Sequence, residues 1–193
     1  MAFCQTTPIQ IIGDSFARRF SIFIESQTAD RKGWCAIHTL GLSGATIADV
    51  KAAVKFNPPP LQVSVPLLLF VGTNDILKGS NWPNIKNQFL ALLRLLKRTY
   101  PGINIIICQL PFYPRVRSNF AAHILIANTN QLFLSCQASD TLVLRLGDCF
   151  RNPRLFHGFY PHSYKPGGIH FNDLAHFKLL PSLANCCKQF TME

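Results

Sequence analysis

The chain has 193 residues, 48% of them apolar and 15% charged, with a formal net charge of +10. This size and apolar content fit one domain over residues 1–193 with a sizeable core, and they exclude a disordered chain. The longest apolar run, Val63 to Val71, carries Ser64 and Pro66; it falls short of the roughly 18 uninterrupted apolar residues of a membrane span and reads as a buried strand.

Pro8 to Ile12 is a short apolar run ending at Gly13, a first strand. Ser15 to Glu25 has apolar residues at 16, 17, 20, 23 and 24, the spacing of a helix. Trp34 to Thr39 reads as a second strand leading into the Gly41–Gly44 loop. Thr46 is placed to cap a helix through Lys55, which Asn57-Pro58-Pro59-Pro60 stops. Pro66 to Val71 is almost wholly apolar, as in a central parallel strand covered on both faces. Asn81 to Tyr100 is helical in pattern and ends at Pro101-Gly102. Ile103 to Cys108 is another buried strand, Ser118 to Cys136 a long helix, and Thr141 to Leu146 a strand. A last helix runs from Asn172 to Lys188. Residues 147–168, rich in Pro, Gly, Tyr and His, are the one long irregular stretch and suit an active-site loop. Strands alternating with helices at this spacing imply a three-layer α/β/α domain around a parallel sheet.

In such a sheet, ligands bind at the carboxyl ends of the strands. Gly13-Asp14-Ser15, Gly41–Gly44 and Gly72–Asp75 each follow a strand, so all three converge on one rim. Ser15, opening a helix, is either a nucleophile beside backbone N–H groups or simply a helix cap. Gly44 and Asn74 are either oxyanion donors or ordinary turn residues. Asp14 is read as a brace for the turn before Ser15.

The blocks Ile12-Gly13-Asp14-Ser15, Gly41-Leu42-Ser43-Gly44, Gly72-Thr73-Asn74-Asp75 and Gly168-Ile169-His170-Phe171-Asn172 resemble those of the SGNH, or GDSL-type, hydrolase family over nearly the whole chain. The resemblance implies a flavodoxin-like fold and ester or acyl hydrolysis. By motif match, Ser15 is the nucleophile and His170 the general base. The Ser15 and Gly44 backbone amides and the Asn74 side chain form the oxyanion hole. A narrower resemblance joins Gly-Asp-Ser-Phe-Ala-Arg-Arg-Phe, Cys-Gln-Leu-Pro-Phe-Tyr-Pro-Arg and His-Phe-Asn-Asp-Leu-Ala-His-Phe-Lys-Leu-Leu to SGNH domains of animal non-LTR retrotransposons. The OSK domain of Oskar, an SGNH-like fold that binds RNA, is a more distant relative in kind.

The family's pattern is Asp-x-x-His. Asp173-Leu174-Ala175-His176 matches it literally, but His170 has the context of a short loop followed by the last helix. With His170 as the base, Gly167 stands where the orienting acid belongs, and His176 becomes a helix-face residue. Three arrangements remain: a Ser–His dyad, a substitute carboxylate from Asp148 or Asp173, or a site decayed to a binding scaffold. Asp173 is otherwise read as the cap of the last helix.

From Ile76 to Ser139 there is no acidic residue, while Lys78, Lys86, Arg94, Lys97, Arg98, Arg115 and Arg117 fall inside. Such a stretch suits nucleic acid, or is a solvated basic face. The seven cysteines, odd in number and without CxxC spacing, fit reduced thiols. With an N-terminus lacking the features of a signal peptide, they give the expectation of an intracellular protein. No metal or organic cofactor is expected, and the substrate is a small ester or acyl lipid.

Overall fold

The computed structural model describes residues 7–28, 33–112, 119–150 and 170–190. Five strands, β1 (Thr7–Gly13), β2 (Trp34–Gly41), β3 (Leu67–Phe70), β4 (Ile105–Cys108) and β5 (Thr141–Leu144), pair in parallel in the order β2-β1-β3-β4-β5. This is the flavodoxin-like order of doubly wound sheets. The helices are α1 (Ser15–Thr28), α2 (Ile47–Phe56), α3 (Thr73–Leu77), α4 (Trp82–Thr99), α5 (Phe120–Ser135), α6 (Leu146–Phe150) and α7 (Asp173–Gln189).

Strand periodicity divides the core in two. Leu67, Leu69, Ile105, Ile107 and Val143 pack with the buried faces of α2, α4 and α5. Leu68, Phe70, Ile106, Cys108 and Leu144 pack with α1 and α7. Successive side chains point to opposite faces, so a run such as Leu67–Phe70 must be apolar throughout when helices cover both. One polar side chain sits inside β1. Gln10, wholly buried, donates to the carbonyls of Gln62 and Val65 at 2.8 and 2.7 Å and accepts the Gln62 N–H at 2.6 Å. Every polar atom of the amide thus has a partner, and the irregular segment before β3 is tied to the sheet.

Several expected boundaries contract for local reasons. Pro66 precedes β3, where its carbonyl accepts the Gln10 N–H at 3.1 Å. The strand expected to reach Leu146 stops at Leu144, because Leu146 already opens α6. Helices α3 and α6 were not expected; five residues are too few for an apolar period to show. Thr46 caps α2 as expected, in a full capping box with Asp49. The expected cap of the last helix is corrected. Asn172, in extended conformation, accepts the Ala175 N–H at 3.1 Å, and Asp173 is the first helical residue. An acidic residue there favours the positive end of the helix without closing it.

Among the described residues no helix is long and apolar enough to cross a membrane, and no cluster of His, Cys, Asp or Glu has the makings of a metal site. Five of the seven cations lie in the described residues. Lys97 is ion-paired with Asp140 at 2.7 Å, Lys78 donates to the Gly44 carbonyl, and Lys86, Arg94 and Arg98 are exposed on α4. Arg115 and Arg117 lie outside the described residues, as does most of the 147–168 stretch.

Candidate active site

At the carboxyl ends of β1, β2 and β3 the backbone itself is cross-linked. Gly13 ends β1 at φ +153, where a Cβ would stand 1.9 Å from the Phe70 carbonyl oxygen. That carbonyl accepts the Asp14 N–H at 2.9 Å, and the Gly13 carbonyl accepts the Leu42 N–H at 2.9 Å. Only glycine fits between these strand ends. A second tight approach lies beside it: a Cβ on Gly41 would stand 2.6 Å from the Arg18 Cα, so α1 lies directly against the end of β2.

Asp14, not Ser15, closes the start of α1. Its carbonyl accepts the Arg18 N–H at 3.2 Å and its Oδ1 accepts the Phe16 N–H at 2.8 Å. This bears out the reading of Asp14 as a brace and leaves the Ser15 hydroxyl free of capping duty. That hydroxyl meets His170 instead, with Oγ to Nε2 at 2.7 Å. The imidazole is seated by Phe16, whose ring lies 5.3 Å from it and 5.3 Å from Phe171.

The other two motifs face the same space. Gly44 has φ +74, and a Cβ there would meet nothing within 4 Å. Its glycine therefore answers to the left-handed backbone rather than to crowding within the fold. The loop is held from three sides: Asn74 Nδ2 donates to the Ala45 carbonyl at 2.9 Å, Lys78 Nζ to the Gly44 carbonyl at 2.9 Å, and Arg18 Nη1 to Ser43 Oγ at 3.1 Å. Asp75, buried behind it, accepts the Ile47 N–H at 2.9 Å and so fixes α3 to the start of α2. Burial raises the Asp75 carboxyl above the ordinary carboxylate range, against the lowering effect of that hydrogen bond. Arg18 and Asp75 were given no individual role in the sequence, and Lys78 was read only as part of the basic stretch. For Asp75 the signal was its place in the Gly72–Asp75 block.

Ser15, Gly44, Asn74 and His170 all line one cleft of ≈ 480 Å³, with Arg18, Arg19, Ile22, Ser43 and Leu77. Asp148 is placed elsewhere, around a cleft of ≈ 450 Å³ with Arg145, Ser182 and Asn185. Asp173 is exposed in the first turn of α7, and Gly167 lies outside the described residues. His176 lies on the inward face of α7. It is buried, edge-on to Phe20 with ring centres 5.5 Å apart and 5.1 Å from Phe23, because its side of α7 packs on α1.

Asp14 carries a further property. It is 1% exposed, and its Oδ2 has no hydrogen-bond partner among the described residues. Burial raises its pKa from 3.8 to about 7, opposed by the Phe16 N–H and reinforced by nearby Asp75. A carboxyl that binds its proton more tightly when folded stabilises the fold at low pH, and the stabilisation is lost as pH rises from about 4 towards 7. Above that window the ionised group is a net burden. Asp14→Asn, which keeps the acceptor for Phe16, is therefore expected to stabilise the protein at pH 8 by on the order of 2 kcal/mol and to lose that gain near pH 4. Urea unfolding midpoints of both proteins at the two pH values check this.

The sequence profile of the GDSL-like lipase/acylhydrolase family matches residues 11–176. No curated protein matches the chain. Among solved structures it is similar to a member of the lipolytic G-D-S-L family from Veillonella parvula, at 17% identity and a TM-score of 0.68, covering 92% of this chain and 96% of that one. It is also similar to the OSK domain of Drosophila Oskar, at 16% identity and a TM-score of 0.68, covering 91% and 86%. The psychrotrophic esterase EstA from Pseudoalteromonas sp. aligns over 97% of this chain and 100% of its own, at 13% identity and a TM-score of 0.61. These structural likenesses speak for the fold; with the profile covering most of the sequence, the chain belongs to the GDSL-like lipase/acylhydrolase family.

Proposed function

We propose that the protein is a serine ester or acyl hydrolase working through a Ser–His dyad. The observation that carries this reading is the 2.7 Å contact between Ser15 Oγ and His170 Nε2. With Nε2 unprotonated, His170 accepts the hydroxyl proton as Ser15 Oγ bonds to the acyl carbon. The carbonyl oxygen takes up the negative charge. The Ser15 amide at a helix N-terminus, the Gly44 amide and the Asn74 side chain are the donors on this side of the cleft. Asn74 has a second N–H beyond the one given to Ala45. Collapse expels the alcohol, which takes the proton from His170. Water, activated by the same imidazole, then releases the acid and restores Ser15.

Packing against Phe16 supplies part of the orientation that an acid at position 167 would give. Asp148 and Asp173 are the weaker candidates for that acid, given their positions in the other cleft and on the exposed start of α7. The natural substrate in this reading is a small ester or an acyl lipid. Nucleic-acid binding through Lys86, Arg94 and Arg98 on α4 is a second reading. The exposure of those three side chains along one helix favours it.

A fluorophosphonate probe tests the hydrolase reading, because it reacts only with an activated serine. Mass spectrometry is expected to find the adduct on Ser15, and none in protein carrying His170→Ala. An intact protein that takes up no label at Ser15 would overturn the proposal.

A further inference from the structure

We infer that the ester cleaved here carries an anionic group about one helical turn from its scissile carbonyl. The inference rests on the hydrolase reading for the reaction, and on the cleft itself for the charge. Ser15, Arg18, Arg19 and Ile22 stand at i, i+3, i+4 and i+7 of α1, so they share one face of that helix. All four line the cleft that holds His170. The backbone positions that carry these two arginines thus stand roughly 4.5–6 Å along the axis from that of Ser15, whose hydroxyl meets His170.

No acidic side chain lines this cleft among the described residues. Neither arginine is ion-paired to a described residue, and Arg18 spends one of its donors on Ser43 Oγ. A guanidinium has five donors arranged to receive a carboxylate or phosphate, and among the described residues Arg18 gives only one of its donors to a side chain. The carboxylates nearest the nucleophile in sequence or fold are turned to structural duties: Asp14 is buried on the Phe16 amide and Asp75 on the Ile47 amide. Lys78 adds a third positive charge beside Gly44, shared with Asp49. Ile22, 54% exposed, and Leu77 are the apolar side chains of the lining. A substrate with an apolar body and a carboxylate or phosphate end matches this arrangement better than a neutral short-chain ester.

The measurement is a ratio of kcat/KM values within matched pairs. Mono-4-nitrophenyl adipate against 4-nitrophenyl hexanoate places the charge on the acyl side. Acetylated glycerol 3-phosphate against acetylated glycerol places it on the alcohol side. The expected ratio is above tenfold in at least one pair at low salt. It should fall about tenfold in the Arg18→Gln, Arg19→Gln double variant and on raising the salt to 0.5 M. Ratios within twofold of one in both pairs, indifferent to the substitutions and to salt, would overturn the inference while leaving the hydrolase standing. If no ester of either kind is turned over, the hydrolase reading falls alone. Titration of the adipate monoester into Ser15→Ala protein then decides. A Kd weakened about tenfold by the arginine substitutions supports the anionic subsite, and no binding, or binding indifferent to them, refutes it.

Discussion

Replacing Ser15 with alanine is expected to lower kcat/KM for 4-nitrophenyl hexanoate by roughly 10⁴-fold or more, with His170→Ala close behind. In the proposed reaction the two groups act as one device: the hydroxyl is a poor nucleophile until its proton has somewhere to go, and acylation gives the imidazole only that proton to take. The double variant should therefore be no slower than the worse of the two single ones. Additive losses would mean that Ser15 and His170 contribute separately, and a Ser15→Ala protein as fast as the parent would end the hydrolase proposal. Ser15 is half-buried and takes no part in capping α1, which Asp14 closes. The substitution should thus leave the unfolding midpoint nearly where it was, and any loss is then chemical.

Gly13→Ala is expected to act on the fold instead. An added Cβ at 1.9 Å from the Phe70 carbonyl oxygen cannot be absorbed by rotating a side chain, because the atoms it meets are all Phe70 backbone. The φ of +153 is itself outside the range that alanine tolerates. Strain and overpacking together should cost about 4 kcal/mol or more, enough to unfold a domain of ordinary stability. Gly79→Ala is the control. It too has a positive φ, but nothing stands within 4 Å of the new methyl group, so about 1 kcal/mol is expected. Urea denaturation followed by circular dichroism separates the two. Equal losses would show that the strand-end crossing is not tight.

The sequence made the sheet legible because β3, β4 and β5 are short apolar runs between turn signals and helical patterns, as buried parallel strands must be. Convergence of Ser15, Gly44 and Asn74 on one rim followed from each motif's place just after a parallel strand, before any side chain was placed. Distances between remote segments were not legible. Nothing in a string of residues says that Asp14 rather than Ser15 caps α1, that Asn172 displaces Asp173 by one position, or that His176 turns into the core against Phe20 and Phe23. Each depends on a backbone angle or a helix phase that a one-residue shift reverses. The contacts of Lys78 and Asp75 escaped notice for a different reason. Their partners are backbone atoms of Gly44 and Ile47, and a backbone atom leaves no mark in the sequence.

The Ser15–His170 contact joins residues 155 positions apart. Closing a loop of that length carries an entropic cost that grows only with the logarithm of its span, yet it must be met before the contact can form. Parallel pairing adds to this, since β1 reaches β3 only after α1, β2 and α2 have been laid aside. Chains dominated by such distant pairings fold slowly. The geometry that gives Ser15 its partner is therefore an attribute of the completed topology, and regain of the proposed hydrolase activity during refolding would time the arrival of the C-terminal helix on the sheet.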